Sequence, residues 1–254
     1  MNPQAAKLRR SRLTLVLLGS LFIGPLIAAW VLYSAGMRPA LTTNYGELVL
    51  PTPGTESLNG SIVHGGQTRR YALVRPTGAA PGAPVLLLLH ASGMKPARMA
   101  NLTRAGRLAA DYGAWVYLPE ANGQNWNDDP SKIGADDVGF LDALMSREVA
   151  AHALDAKRIY VAGYSNGGYM AVRMACTGRT PFAGLATVAA TLRSNVAVLC
   201  PGGQQIPTAM FNGTSDAITP YGGLLTLSSA ENAIAFWAVK NGCAPNFAAA
   251  SSWP

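Results

Sequence analysis

Five consecutive residues, Gly163-Tyr164-Ser165-Asn166-Gly167, carry the pattern Gly-x-Ser-x-Gly. The apolar stretch Arg158-Ile159-Tyr160-Val161-Ala162 runs directly into it, and a stretch bearing Ala, Val and Met leaves it. A strand that turns sharply into a helix holds its serine exposed on a strained turn, an arrangement suited to a nucleophile that attacks a carbonyl carbon. Glycine on either side lets neighbouring backbone pass close by. The helix N-terminus adds positive potential where an alkoxide or oxyanion forms. Without its flanks the pattern is a plain Gly-rich turn; the strand before it and the helix after it make Ser165 the candidate nucleophile.

Such a serine needs a base and an acid that orients the base, in the chain order Ser, acid, His on a sheet of this kind. Asp216, in Asn212-Gly213-Thr214-Ser215-Asp216, follows an apolar strand ending at Phe211. The carboxyl end of the sheet would present it beside Ser165; the competing reading is an ordinary turn aspartate. The backbone amide of Asn166, and one from Ala91 or Ser92 in the turn after Leu89-His90, are the expected oxyanion donors, each worth about 3 kcal/mol at the transition state. The base is missing from its place. His64, His90 and His152 all precede Ser165, and no histidine follows Asp216. His90 closes a strand and reads as structural, His152 as a solvent-exposed residue at a helix end, and His64 as part of a loop beside Gly65-Gly66. Loss of one triad member costs on the order of 10⁴ to 10⁶ in rate, so these 254 residues are expected to be catalytically incomplete.

The elements that would position these groups alternate along the chain. Arg70–Val74, Val85–Leu89, Ala114–Leu118, Arg158–Ala162, Gly184–Ala189 and Ile206–Phe211 read as strands, Val85–Leu89 being a continuous apolar run of the kind buried on both faces of a parallel sheet. Between them, Ala97–Tyr112, Asp137–Ala153, Gly167–Cys176 and Leu227–Asn241 read as helices. This alternation implies an α/β fold with a mainly parallel sheet covered on both faces.

Composition limits the rest. An apolar fraction of 49% with 13% charged residues is globular or membrane-linked. The formal charge of +7 is concentrated early, in Lys7, Arg9, Arg10 and Arg12 before the first acid, Glu47, so nucleic acid is not an expected partner. From Leu13 to Tyr33 there are 21 residues without a charge, long enough to span a hydrocarbon core of roughly 30 Å. We therefore expect a basic cytoplasmic tail at 1–12, a transmembrane signal anchor at 13–33, a Thr-, Pro- and Gly-rich linker at 34–60, and the α/β domain at 61–254. A cleaved signal peptide is the competing reading, which would leave the domain secreted. Export fits the three cysteines: in an oxidising compartment Cys176 and Cys200 can pair, closing a loop worth about 3 kcal/mol, whereas in a reducing one all three would be buried thiols. None has metal-site spacing, and no metal or cofactor is expected.

The chain from Gln67 to Cys243 resembles the secreted polyhydroxybutyrate depolymerase and feruloyl or acetylxylan esterase group of α/β-hydrolases. The resemblance rests on Arg69-Arg70-Tyr71, Leu89-His90, Tyr117-Leu118-Pro119-Glu120, Asn125-Trp126-Asn127-Asp128, Asp136 to Phe140, Asp155 to Arg158, Gly163 to Gly168, Ala175-Cys176, Asn212 to Asp216 and Trp237 to Cys243, in order and at family spacing. It implies a three-layer α/β-hydrolase fold, Ser165 as nucleophile, Asp216 as acid, and Trp126 with Tyr164 at the substrate cleft. Two departures stand out. Ala91 occupies the position after the oxyanion histidine where the family usually has glycine. The family's catalytic histidine, and a cysteine that would pair with Cys243, lie beyond the position matching Cys243, which points to a truncated chain. Residues Arg9 to Pro53 fall outside this resemblance; Arg38-Pro39 and Asn44 to Leu48 are similar to small membrane proteins of cytochrome oxidase assembly. The expected activity is hydrolysis of a carboxylic ester, polyester or plant-polymer ester, by an exported, membrane-tethered or secreted domain. The alternative is a noncatalytic binding or envelope-assembly module of the same fold.

Overall fold

The structure is a computed structural model that describes residues 48–78, 80–200 and 205–243. Seven strands form one sheet in the order β1-β2-β4-β3-β5-β6-β7. They are β1 Thr55–His64, β2 Gln67–Pro76, β3 Val85–Leu89, β4 Trp115–Pro119, β5 Ile159–Tyr164, β6 Phe182–Val188 and β7 Thr208–Phe211. β1, β2 and β4 pair antiparallel in that order, and the remaining pairs are parallel. β3 lies between β4 and β5, with Leu87 opposite Tyr117 on one side and Val161 on the other. That position explains its uninterrupted apolar sequence: both of its faces pack into the core, with four of its five residues buried and Leu86 partly so.

On one face lie α1 Pro96–Leu102 and α2 Ala105–Tyr112, whose Met99, Ala100, Ala105 and Ala109 pack on Ala72, Val74, Leu88, Val116 and Leu118. On the other lie α3 Asp137–Ala151, α4 Asn166–Thr177, the single turn α5 Ser194–Ala197, and α6 Ala230–Lys240. Phe140, Leu141, Leu144, Met170 and Trp237 there meet Leu87, Leu89, Tyr117 and Val161 in the larger core. The disulfide Cys176–Cys200 ties the end of α4 to the chain after α5, while Cys243 is free and exposed. On the α1 and α2 side, the part of the sheet formed by β5 to β7 carries no helix among the described residues. Tyr160, Val188 and Phe211 are exposed there.

Three expectations are corrected. The linker at 34–60 overlaps β1, which begins at Thr55 and pairs along its full length with β2. Its sequence, Thr-Glu-Ser-Leu-Asn-Gly-Ser-Ile-Val-His, has little apolar alternation because an edge strand is held by its ladder and not by burial. The helix at 97–112 is two helices, since Arg104 adopts a left-handed backbone (φ 53°) that ends one and starts the next. The last helix begins at Ala230 instead of Leu227. Ser229 caps it through its hydroxyl, which accepts the Asn232 amide at 3.1 Å. The tail at 1–12, the apolar segment at 13–33 and the linker through Glu47 lie outside the described residues, and none of the helices among the described residues is long and apolar enough to cross a membrane.

Candidate active site

The carboxyl ends of the parallel strands converge on Ser165, the residue between β5 and α4. Its backbone has φ 53° and ψ −120°, outside the regions an L-residue adopts freely, and its amide donates to the Val188 carbonyl at 2.8 Å. The glycines around it are required by packing. A Cβ on Gly163 would lie 2.1 Å from the Gly167 carbonyl oxygen, and one on Gly167 would lie 2.3 Å from that of Leu89. Strand and helix therefore cross at backbone contact, and the serine is lifted onto the apex of the turn.

The amides of Ala91, Ser92 and Asn166 donate to no acceptor among the described residues. Asn166 opens α4, where the first helical amides have no intrahelical partner, so its N–H sits in the positive end of the helix dipole. The turn after β3 is closed by Met94 N–H donating to the Ala91 carbonyl at 3.1 Å and Gly93 N–H to Gln124 at 2.8 Å. Ser92 is exposed on it and Ala91 is buried.

The side chains of Asn166 and Trp126 lock these turns together. The Asn166 Oδ1 accepts the Trp126 amide at 2.7 Å, and its Nδ2 donates to the Trp126 carbonyl at 3.2 Å. The Trp126 indole N–H donates to the His90 carbonyl at 3.0 Å. Trp126 is 2% exposed and packs against the His90 ring, so it stands beneath the turns and does not line an open cleft as expected; a ring this deep braces backbone instead of meeting a ligand. Tyr164, expected beside it, is half-buried at the end of β5. Beyond Trp126, Asn127 N–H donates at 2.7 Å to Asp137, which in turn holds Arg69 at 2.6 Å in an ion pair buried on both sides. Asp128 takes Arg193, the residue before α5, at 2.8 Å. Asp129, bonded to the Ser131 hydroxyl and amide and to Asn195, has its pKa held down to about 2, the Ser131 hydroxyl being the main cause. In the sequence, the segment Asn125-Trp126-Asn127-Asp128 is legible only through the family resemblance.

Asp216 lies on the loop after β7. Its Oδ1 accepts the amides of Thr219 and Ile218 at 2.9 and 2.8 Å, which hold its pKa below the usual carboxylate range, and Oδ2 accepts nothing among the described residues. Thr219 anchors the loop through its hydroxyl to the Ala189 carbonyl at 3.1 Å, one residue from the carbonyl that takes the Ser165 amide. The three histidines are committed elsewhere. His90 receives the Ala121 amide on Nε2 at 3.1 Å, so Nδ1 carries the hydrogen it shares with the Ala91 carbonyl at 2.8 Å. Burial pushes its pKa below the ordinary value and keeps the ring neutral. His64 pairs with Asp136 at 2.9 Å, and His152 lies 3.5 Å from the buried Glu148. None of them contacts Ser165.

The family model described as "Esterase PHB depolymerase" matches residues 69–223, more than half of the chain. A protein named "Putative esterase NocK" from Nocardia uniformis subsp. tsuyamanensis is 32% identical over 181 residues, covering 68% of this chain and 52% of that protein. Feruloyl esterase B of Piromyces equi is 30% identical over 176 residues, covering 63% of this chain and 33% of its own length. The chain thus spans about half, or a third, of the relatives it matches. A solved structure titled "Crystal Structure of a Thermostable Esterase" superposes with a TM-score of 0.56 at 17% identity, over 74% of this chain and 52% of that one, which is a likeness of fold.

Proposed function

The chain belongs to the esterase PHB depolymerase family, and from that premise we propose that it is a carboxylic-ester hydrolase working through an acyl-enzyme on Ser165. The observation that carries the reading is the left-handed backbone of Ser165 at a strand-to-helix junction, with unengaged amides of Asn166, Ala91 and Ser92 around it. In this reading Ser165 Oγ bonds to the ester carbonyl carbon and its proton passes to a base. The carbonyl oxygen becomes an oxyanion facing those amides. The alcohol departs with the proton, and water then releases the acid. Asp216, ionised well into acid and with Oδ2 available, orients the base. The base is a group other than His64, His90 and His152, each of which has another partner. Esters of hydroxycinnamic acids or of hydroxyacid polymers are the substrate classes that the relatives suggest. The disulfide and the uncharged run at 13–33 support an exported domain, held at the membrane if that run is retained.

The lack of a histidine on Ser165 favours one second reading, a noncatalytic module that binds an ester or a partner protein. Fluorophosphonate labelling with p-nitrophenyl ester turnover separates the two. Label that enters Ser165 and is lost in Ser165→Ala supports the hydrolase. A folded chain that takes no label and turns over no ester supports the module.

A further inference from the structure

We infer that the outer side of α1, with the chain segment strapped across it, is a docking face for an anionic lipid bilayer; this rests on the proposed membrane run at 13–33 and not on the ester-hydrolase reading of Ser165. The segment is fixed to the helix by one side chain. Asn101 Oδ1 accepts the Leu50 amide at 2.8 Å and Asn101 Nδ2 donates to the Leu48 carbonyl at 2.9 Å. Farther along, Thr52 rests on Gly106 of α2, where a Cβ would meet its hydroxyl oxygen at 2.0 Å.

Val49 packs on the core that α1 covers, whereas Leu48 and Leu50 are 68% and 47% exposed. Leu102, next to the residue that holds them, is 61% exposed. Arg98 stands four residues before Leu102, hence on the same side of α1, and Arg104 two residues after it. Both arginines are exposed and have no carboxylate partner among the described residues, whereas Lys95 is paired with Glu120 and Arg107 with Asp111. The face therefore combines three exposed leucines with two cations that have no carboxylate partner among the described residues. That is the composition of an interfacial membrane contact, in which apolar side chains enter the headgroup boundary and basic ones meet anionic lipid.

A bilayer is favoured over a protein partner by the chain that leads to this face. Only residues 34–47 separate Leu48 from the uncharged run ending at Tyr33. Fourteen residues reach at most about 50 Å, so a run seated in a membrane keeps Leu48 within that distance of its surface. Each arginine near an anionic surface strengthens binding roughly fivefold.

The test uses the full chain with Cys243→Ser, which leaves only the disulfide pair, and with Leu102→Cys or Ile133→Cys carrying an environment-sensitive fluorophore. Ile133 is fully exposed on the loop before α3. The protein is mixed with phosphatidylcholine vesicles, or with vesicles of roughly one third phosphatidylglycerol, in each case with doxyl-labelled acyl chains. The expected result is strong quenching at position 102 and little at 133, increased by phosphatidylglycerol and reduced to the phosphatidylcholine level by Arg98→Glu with Arg104→Glu. Equal quenching at both positions, or quenching unaffected by the two charge reversals, overturns the inference. So does a lipid-free blue shift at position 102 that grows with protein concentration, which would assign the face to a second copy of the chain.

Discussion

Asn166 grips Trp126 by both of its backbone polar groups, accepting its amide at 2.7 Å and donating to its carbonyl at 3.2 Å. This joins the helix that carries the candidate nucleophile to the loop after β4, and the Trp126 indole continues the connection to the end of β3 through His90. Asn166→Ala leaves the Trp126 amide without a partner. It should cost about 1–3 kcal/mol in urea denaturation and slow phosphonylation of Ser165 severalfold. Unchanged labelling kinetics in that variant would mean that the clamp stabilises the fold without positioning the site.

The backbone of Ser165 stores strain that only glycine would relieve. Ser165→Gly should raise stability by about 1 kcal/mol and Ser165→Ala should not, while both abolish fluorophosphonate labelling. Thermal melts of the three proteins, with in-gel fluorescence, measure both effects.

Gly167 has the Leu89 and His90 carbonyl oxygens 2.3 and 2.5 Å from the place of a Cβ, and backbone there cannot step aside. Gly167→Ala should therefore lose about 1–3 kcal/mol or more. Gly222, with nothing within 4 Å, is the control, and its alanine variant should melt with the parent.

His90 confers a pH dependence with a definite sign. Its folded pKa lies below the ordinary value of 6.5, so below that pH the unfolded chain binds a proton that the folded ring refuses. Stability is complete above about pH 6.5 and falls as pH drops toward the lower, folded pKa. Urea midpoints between about pH 7 and pH 5 should show this slope, and it should flatten in His90→Gln, which is itself destabilised by the loss of one backbone contact.

Among the described residues no histidine contacts Ser165, and a base can be supplied from solution. Added imidazole should increase p-nitrophenyl ester turnover by the wild-type chain above its effect on Ser165→Ala. Identical increases in the two proteins would show imidazole acting on the ester alone.

Several parts of this protein could be read without coordinates. Val85–Leu89 was legible as a central strand because a run buried on both faces must be apolar throughout. Ser165 was legible because the turn it occupies demands glycine at fixed positions on both sides, a local requirement that leaves a local mark. Chain order and the end of β7 singled out Asp216, but its Oδ1 bonds to Ile218 and Thr219 only became visible in the folded loop. The break at Arg104 was hidden, since nothing in its neighbourhood excludes helix, and its left-handed backbone between α1 and α2 is seen only in the folded chain.

What the sequence determined by itself is therefore the alternation of strand and helix, the glycine-flanked turn of the candidate nucleophile Ser165, and the conflict between a Ser-Asp pair and the position of the histidines. Only tertiary structure decided what Trp126, Asn166, Asp137 and Arg69 do. Their bonds join residues 40 and 68 positions apart in the chain, and such partners carry no spacing signal. Trp126 shows the difference most plainly: the family resemblance implied a ligand surface, and burial made it a brace. An exposed ring and a buried one have the same sequence, and only the packing around them distinguishes the two roles.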